Sequence, residues 1–305
     1  MKKTVSVIIP VYKPNSMYVR LLKGLKYQTY PIKEIIVINT EQRYYHEENY
    51  PSLEQLRVIH IKKEEFDHGG TRNAGAKMAT GDILLFMTQD AVLADAHVIE
   101  RLVESFDDDR VGAAYARQLP NENCNLIERY TRSFNYPKKS RVKKYSDLNE
   151  LGIKTYFCSN VCAAYKKEIY EKLGGFECRT IFNEDMIFAA NIIKQGYFIV
   201  YCAEARVIHS HNYTGMEQLH RNFDLAVSQA DHPEIFEGIP SEQEGIRLVK
   251  KTFRYLLEKK QPFEMIRLIY ISGCKYVGYF LGKRYRKLPI KVVRQLSMNK
   301  KYWDR

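Results

Sequence analysis

The run Val5-Ser6-Val7-Ile8-Ile9 near the start of the chain is almost wholly apolar and stops at Pro10. Such a run is typical of a short strand that is buried on both faces of a parallel sheet. Similar runs follow at residues 34–38, 57–61 and 82–87, with segments of helical spacing among them. This alternation predicts an α/β protein with a mostly parallel, doubly wound sheet, in which ligands collect at the carboxyl ends of the strands.

The rest of the chain extends this pattern with one interruption. Residues 118–155 are polar, basic and punctuated by two prolines, which predicts a long, mobile, functional segment with one helix near 124–133. From about residue 216 onward the spacing is helical. The other predicted elements are helices at 16–28, 73–80, 96–106 and 184–195, and strands at 111–117, 156–165 and 197–208.

Positive charge is concentrated at the end of the chain. The 305 residues carry a net charge of +12, and residues 244–305 hold 17 Lys and Arg against 4 Asp and Glu, a net of +13. We therefore expect a near-neutral catalytic body at 1–225 followed by a basic, aromatic-rich helical extension at 226–305. A basic extension of this kind predicts an anionic partner, either a phospholipid surface or nucleic acid.

The six cysteines show no paired spacing of the kind that binds zinc, and several lie in apolar runs, so we expect reduced thiols in the cytosol. The apolar run before Pro10 is too short for a signal peptide, and no run approaches the roughly 18–20 apolar residues that span a bilayer. Residues 264–282 are apolar but interrupted by Arg267 and Lys275, which favours a helix in a membrane interface. The alternative is a solvated basic helical pair packed on the catalytic domain.

The segment Phe66-Asp67-His68-Gly69-Gly70-Thr71-Arg72-Asn73-Ala74-Gly75 contains two candidate features for phosphate binding. Two glycines leave room for a ligand beside the backbone, and an arginine precedes a predicted helix. Free N–H groups at a helix N-terminus beside a guanidinium form a site for phosphate. A pair of glycines before a helix is also common as a tight turn, so the segment alone leaves both interpretations open.

Three further signals follow predicted elements. Asp90 stands at the tip of the fourth strand, where it could bind magnesium or manganese or cap a helix. Glu184 and Asp185 open a helix, where they could stabilise its dipole or supply a general base. His209 and His211 end a strand, and strand alternation sends their imidazoles to opposite faces, so one of them is expected to face the site.

The order and spacing of these motifs resemble an inverting family 2 glycosyltransferase of the GT-A fold, and within it the bacterial rhamnosyltransferases. The resemblance covers about residues 4–225. It rests on the opening Val-Ser-Val-Ile-Ile-Pro-Val-Tyr, the segment Phe66–Asn73, Thr88-Gln89-Asp90-Ala91, Asn183-Glu184-Asp185-Met186 and His209-Ser210-His211-Asn212-Tyr213.

This resemblance implies roles for particular residues. Asp185 would deprotonate the acceptor hydroxyl, with Glu184 and Asn160 on the acceptor side. Asp90 would coordinate Mn²⁺ or Mg²⁺, and His209 or His211 would complete the metal shell. Donor-binding residues would come from the strand ends and the glycine segment: Pro10, Tyr12, Asn39, His68, Gly69, Gly70, Arg72 and Gln89.

One position departs from the pattern of the family. Members usually carry an aspartate after the second strand, which accepts a hydrogen bond from N3–H of the nucleobase, whereas this chain has Asn39-Thr40-Glu41. An asparagine carbonyl can accept the same bond, but without a charge. The departure leaves the exact donor open.

The implied function is transfer of L-rhamnose from dTDP-β-L-rhamnose to a hydroxyl of a growing, lipid-linked cell-surface polysaccharide. The enzyme would act at the inner face of the bacterial membrane as a peripheral protein. Whether it forms a homodimer is left open by the sequence. The first alternative is the same fold with a UDP-hexose donor. The second is a processive synthase, to which Gln218-Leu219-His220-Arg221-Asn222 bears a faint resemblance. The third is a nucleic-acid binder acting through the basic tail.

Overall fold

The computed structural model describes residues 2–239 and 242–304, which form two compact units that interleave along the chain. The first unit comprises Met1–Asn121, Tyr136–Arg179 and Glu184–His209, and the second comprises Glu122–Asn135, Thr180–Asn183 and Ser210–Arg305. The domain boundary proposed from the sequence, between residues 225 and 226, stays a prediction.

A nine-stranded mixed sheet forms the first unit, with the order β3-β2-β1-β4-β8-β6-β9-β5 and β7 paired to β9. Its strands are β1 (Val5–Tyr12), β2 (Ile32–Thr40), β3 (Leu56–Ile61), β4 (Ile83–Met87), β5 (Val92–Leu93), β6 (Val111–Leu119), β7 (Arg141–Lys143), β8 (Cys162–Lys166) and β9 (Phe198–Ile208). Twelve α-helices complete the described chain: α1 (Ser16–Lys26), α2 (His68–Met78), α3 (Val98–Glu104), α4 (Leu126–Asn135), α5 (Leu148–Leu151), α6 (Lys167–Lys172), α7 (Glu184–Lys194), α8 (Gly215–Asp231), α9 (Pro233–Phe236), α10 (Glu242–Glu258), α11 (Pro262–Gly282) and α12 (Ile290–Leu296).

The long strands pair in parallel, which confirms the predicted α/β class. β1 lies between β2 and β4, and all three run in the same direction, as do β6 and β9. β8 is antiparallel to both β4 and β6 and joins the two parallel groups. The carboxyl ends of β1, β2 and β4 therefore lie along one edge of the sheet, where the donor-site and metal motifs follow them.

Two predicted elements were wrong in detail. The strand predicted at 156–165 begins only at Cys162, because Gly152–Tyr156 forms a 3₁₀ helix. The segment 118–155 contains α4, α5 and the short strand β7, which adds to the edge of β9. Sequence patterning missed β7 because only Val142 of its three residues is apolar, while Lys143 is buried.

Apolar side chains cover the sheet of the first unit, as the apolar runs in the sequence predict. Val5, Val7 and Ile9 of β1 are fully buried and belong to one cluster with Leu21 and Leu22 of α1. Full burial of a side chain of this size contributes about 1.5–3 kcal/mol. These contacts fix the strand whose carboxyl end carries Pro10 and Tyr12.

The second unit is helical, and its α8 and α11 pack at unusually close range. A Cβ added at Gly278 would overlap the carbonyl oxygen of Leu219, and one at Gly282 would overlap that of Phe223. The two glycines are four residues apart and so share one face of α11. In the part of the chain that the structure describes, every helix is too short or too polar to cross a bilayer.

Candidate active site

The glycine segment begins a helix instead of preceding one. α2 starts at His68, not near residue 73 as the sequence predicted, because Asp67 caps it: its Oδ1 accepts a hydrogen bond from the main-chain N–H of Gly70 at 2.7 Å. A Cβ at Gly69 would overlap the carbonyl oxygen of Glu177. Gly69 therefore permits close packing within the first unit, and its predicted contact with the donor stays a prediction.

Asn73, which the sequence analysis gave no role, fixes the turn that precedes the acidic motif. Its Oδ1 accepts hydrogen bonds from the main-chain N–H of Phe176 at 2.9 Å and from the hydroxyl of Tyr170 at 2.5 Å. Its Nδ2 donates to the carbonyl of Phe176 at 2.8 Å. Gly174 and Gly175 have φ values of +83° and +74°, which side chains rarely allow. The glycine pair is thus explained by the turn.

Arg72 and Glu184 form a buried ion pair at the start of α7. Arg72 Nη1 lies 3.1 Å from Glu184 Oε1 and also donates to the carbonyl of His68 at 2.9 Å. Arg72 was predicted to lie near the diphosphate and Glu184 near the acceptor. The structure joins them to each other, and sequence reasoning missed the pair because 112 residues separate its members.

Asp185 is held by main-chain donors while remaining partly exposed. Its Oδ1 accepts from the N–H of Met186 at 2.7 Å, and its Oδ2 accepts from the N–H of Asn160 at 3.2 Å. Asn160 is itself buried, and its Oδ1 accepts from the hydroxyl of Tyr165 at 2.9 Å. The carboxylate of Asp185 is therefore fixed in orientation, and the residue is half-buried.

The pKa values of the two neighbouring carboxyl groups, Glu184 and Asp185, are shifted in opposite directions. Burial raises the pKa of Glu184, but the charges of Arg72 and His68 outweigh it, so the pKa lies below its usual range. Burial, followed by the negative charge of Glu184, raises the pKa of Asp185 well above its usual range. An ionised Glu184 beside an Asp185 of raised pKa is the arrangement that suits a general base near neutral pH.

This coupling predicts the pH dependence of the Glu184→Gln variant. Removing the negative charge of Glu184 lowers the pKa of Asp185, so Asp185 stays ionised to lower pH. We expect the acid limb of the kcat/KM profile to move down by about one pH unit. An exposed carboxylate provides the control, since Glu171→Gln should leave the limb in place. An unmoved or raised limb in Glu184→Gln would show that another group controls the profile.

Gln89 ties the carboxyl ends of β1 and β4 together. Its Oε1 accepts from the main-chain N–H of Tyr12 at 2.8 Å, and its Nε2 donates to the carbonyl of the same residue at 3.0 Å. The ring of Tyr12 meets that of Tyr44 edge to face at 5.7 Å, with Lys13 and Lys63 over its face. The predicted donor residues Pro10 and Tyr12 thus lie near the carboxyl end of β1. There the ring of Tyr12 is surrounded by aromatic and cationic groups.

Asn39, at the end of β2, is fully buried, and its side-chain oxygen lacks a hydrogen-bond donor among the described residues. Its Nδ2 donates to the carbonyl of Glu41 at 3.2 Å and lies 3.0 Å from His60 Nδ1. Among the described residues nothing donates to its Oδ1. A buried amide oxygen without a donor is costly unless a ligand supplies one.

Asp90 and His209 face each other after β4 and β9. Asp90 Oδ2 lies 3.5 Å from His209 Nε2, and His209 Nδ1 lies 3.0 Å from Oε1 of Gln118. Gln118 Nε2 donates to Ser159 Oγ at 3.0 Å, which turns its oxygen toward the imidazole. In the neutral imidazole, Nδ1 then carries the ring proton, and Nε2 keeps a lone pair on the side of the carboxylate.

Two acceptor atoms at this spacing can share a cation. Ligand atoms about 2.0–2.2 Å from one divalent metal ion span 3.5 Å without strain. Asp90 and His209, both in the first unit, can each offer one ligand atom to a metal ion. His211 follows two residues after the end of the first unit, and its ring stacks on Tyr213 at 5.1 Å.

The class of protein follows from the fold and from a sequence comparison. The profile of glycosyl transferase family 2 matches residues 6–174, more than half of the chain. The chain belongs to this family and is a glycosyltransferase.

Its relatives include two enzymes of O-antigen assembly. The chain is 41% identical to the O-antigen chain rhamnosyltransferase RfbN of Salmonella typhimurium over 307 residues, covering 98% of this chain and 96% of that protein. It is 38% identical to the O-antigen chain rhamnosyltransferase WbaN of Salmonella anatum, covering 98% and 95%. The resemblance to bacterial rhamnosyltransferases is confirmed over nearly the whole chain.

Solved structures confirm the GT-A fold. The mannosyltransferase PcManGT from Pyrobaculum calidifontis, in complex with GDP-Man and Mn²⁺, superposes with a TM-score of 0.58 at 16% identity, covering 99% of this chain and 85% of that one. S. aureus TarS 1-349 in complex with UDP-GlcNAc superposes with a TM-score of 0.54 at 17% identity, covering 93% and 92%. At these identities the likeness concerns the fold alone.

Proposed function

We propose that the enzyme transfers L-rhamnose from dTDP-β-L-rhamnose, with inversion, to a hydroxyl of a growing cell-surface polysaccharide. The observation that carries the chemistry is Asp185, a partly exposed carboxylate of raised pKa held by two main-chain N–H groups. The choice of sugar is supported by the rhamnosyltransferase relatives at 41% and 38% identity.

Asp185 serves as the general base. Its Oδ2 and Oδ1 keep lone pairs beyond those used by the two N–H donors, so an acceptor hydroxyl can donate to it. As the hydroxyl oxygen attacks the anomeric carbon, its proton passes to Asp185 and the bond to the nucleotide diphosphate breaks on the opposite face. Single displacement of this kind inverts the anomeric centre. Glu184, kept ionised by Arg72, raises the basicity of Asp185.

Asp90 and His209 are proposed to hold Mn²⁺ or Mg²⁺, with His211 as a third ligand. The facing acceptor atoms and the orientation of His209 by Gln118 support this assignment. When bound, the cation neutralises charge on the leaving diphosphate. Asp90 supplies the negative charge that attracts it, and Gln118 favours the neutral tautomer of His209 in which Nε2 carries the lone pair.

Asn39 is proposed to recognise the thymine base through its Oδ1, which accepts from N3–H. We expect Asn39→Ala to weaken dTDP binding by about 0.5–1.5 kcal/mol, roughly 2–13-fold in Kd, measured by titration calorimetry. A dTDP analogue methylated at N3 lacks this donor, so it should bind the variant and the unchanged enzyme with similar affinity. If methylation at N3 lowered the affinity of the Asn39→Ala variant and of the unchanged enzyme by the same factor, N3 would not contact Asn39.

A donor-hydrolysis screen tests the choice of donor. The enzyme is incubated with dTDP-β-L-rhamnose, UDP-glucose or UDP-N-acetylglucosamine, each with and without Mn²⁺, and release of nucleotide diphosphate is followed. We expect the fastest release from dTDP-β-L-rhamnose with Mn²⁺. The second candidate function is a UDP-hexose transferase, which the uncharged Asn39 motivates. It predicts faster nucleotide release from a UDP-hexose than from dTDP-β-L-rhamnose.

The acceptor is proposed to be lipid-linked, with the enzyme peripheral on the cytoplasmic face of the bacterial membrane. The net charge of +13 over residues 244–305 supports attraction to anionic lipid. Nucleic-acid binding through the same residues would leave Asp90 and Asp185 without a role. Homodimer formation stays a prediction.

A further inference from the structure

Helix α11 carries apolar residues on both its packed and its exposed side, with Glu264, Arg267 and Lys275 as interruptions, although only one side of it is packed within its unit. Residues 264, 268, 271, 275, 278 and 282 recur at alternating steps of four and three and form the inward stripe. Leu268, Ile271, Gly278 and Gly282 on this stripe are buried. The close approach of Gly278 and Gly282 to α8 fixes which side of α11 faces inward.

The opposite side of α11 exposes large apolar side chains. Of the 17 exposed large hydrophobic residues in the described chain, seven belong to this one helix of 21 residues. Phe263 is 85% exposed, Ile266 67% and Tyr276 66%. The full set, called here the outward face, is Phe263, Ile266, Ile269, Tyr270, Tyr276, Val277 and Phe280. A continuous exposed apolar ridge of this kind marks an interaction surface.

A basic cavity lies where α11 ends. It is widely open to solvent, has a volume of about 550 Å³ and is lined by Ala230, Lys283, Arg284, Tyr285, Arg286 and Lys287. The guanidinium of Arg284 lies 3.8 Å over the ring of Phe280, so the cavity and the outward face are continuous. Arg286 is ion-paired with Asp231 at 2.8 Å. The surface therefore joins an apolar ridge to a cluster of cations with one nearby acid.

We infer that the outward face of α11 and the basic cavity at its end form a docking surface for an anionic lipid leaflet. Apolar side chains enter the acyl boundary, while lysine and arginine meet phosphate head groups. With an exposed apolar face and cations at its end, α11 would lie in the plane of the interface. This surface would provide the membrane attachment of the proposed function, and the inference rests on that proposed function.

The charges favour a lipid surface over a second copy of the chain. A two-fold dimer would place the same patch of each protomer against the other. The outward face contains no carboxylate, so a second copy docked through it would offer Lys283, Arg284 and Lys287 no opposite charge. An anionic leaflet complements both parts of the surface at once.

Sedimentation of the full-length protein with vesicles tests this surface. The vesicles are phosphatidylcholine alone, or phosphatidylcholine with 30% phosphatidylglycerol, roughly the share that gives a strongly negative surface. We expect binding to the anionic vesicles at low salt, weak binding to the neutral ones, and release by high salt. Equal binding to both vesicles, or none to either, would overturn the inference.

Two triple variants separate the parts of the surface. Lys283→Gln/Arg284→Gln/Lys287→Gln should weaken binding to anionic vesicles about 100-fold, whereas Lys23→Gln/Lys26→Gln/Lys172→Gln, which removes the same charge from exposed positions of the first unit, should not. Phe263→Gln/Ile266→Gln/Tyr276→Gln should weaken it at least about 10-fold, with exposed Tyr27→Gln as the control.

Donor hydrolysis is measured in parallel, so that failure of the docking surface can be told from failure of the proposed function. All variants should hydrolyse donor like the unchanged enzyme. Vesicle binding without any nucleotide-sugar activity would overturn the function and leave the surface standing. A dimer seen by analytical ultracentrifugation that the apolar variant abolishes, with vesicle binding unchanged, would assign the face to a second copy instead.

Discussion

The Asp185→Asn variant is expected to lose sugar transfer almost completely while still binding nucleotide. Loss of a general base typically costs about 10²–10⁴-fold in rate, and an amide cannot take up the proton of the acceptor hydroxyl. The amide has nearly the shape of the carboxylate, so its oxygen can still accept from the N–H of Met186. We therefore expect kcat to fall by that factor and the Kd for dTDP to change less than about 3-fold, well under one hydrogen bond to a charged group.

A matched control separates chemistry from general loss of charge. Asp109→Asn removes an almost fully exposed carboxylate of the first unit, and it should leave kcat unchanged. Turnover of Asp185→Asn at the rate of the unchanged enzyme would remove Asp185 from the mechanism. A parallel fall in kcat and in thermal stability would point to a structural role instead, so the melting temperature is measured for each variant.

The second large effect is expected for Asp90→Ala, which should lose both transfer and metal binding. A bound cation contributes several kcal/mol to stabilising a leaving diphosphate, so we expect a fall of about 10²–10³-fold in kcat/KM at a fixed Mn²⁺ concentration. Mn²⁺ binding is read directly by electron paramagnetic resonance, which does not depend on activity. Chelation by EDTA should reproduce the loss in the unchanged enzyme, and added Mn²⁺ should reverse it.

Gln118 provides a graded test of the same site. Gln118→Leu removes the acceptor that fixes the tautomer of His209, and such outer partners are typically worth about 10–100-fold in metal affinity. The control is Asp109→Ala, which should bind Mn²⁺ like the unchanged enzyme. Full transfer activity in EDTA would contradict the metal assignment and leave the diphosphate to the arginines and lysines of the site.

The sequence predicted the fold because its strands are short, apolar and separated by helical spacing. Those features are local, and the runs at 5–9, 34–38, 57–61 and 82–87 fall within β1, β2, β3 and β4, the last of which starts one residue later. The positions of Asp90 and Asn39 at strand ends followed from the same local pattern and the rule for parallel sheets. α7 likewise opens at Glu184, as predicted.

The contacts that organise the site are long-range, and one sequence does not contain them. Gln118 and His209 are 91 residues apart, and Asn73 and Phe176 are 103 apart. The pair of Arg72 and Glu184 was missed for the same reason. α2 began earlier than predicted because glycine is a poor helix former, and the cap from Asp67 outweighed that preference.

The central claim is tested most directly by the linkage that the enzyme makes. The full-length protein is incubated with dTDP-β-L-rhamnose, Mn²⁺ and a lipid-linked saccharide fraction from cells that lack the enzyme, and the product is analysed by NMR. The account predicts that rhamnose is added and that the new anomeric centre is α, the inverted configuration. A β-linked rhamnose, or transfer of a hexose from a UDP donor with none from dTDP-β-L-rhamnose, would contradict it.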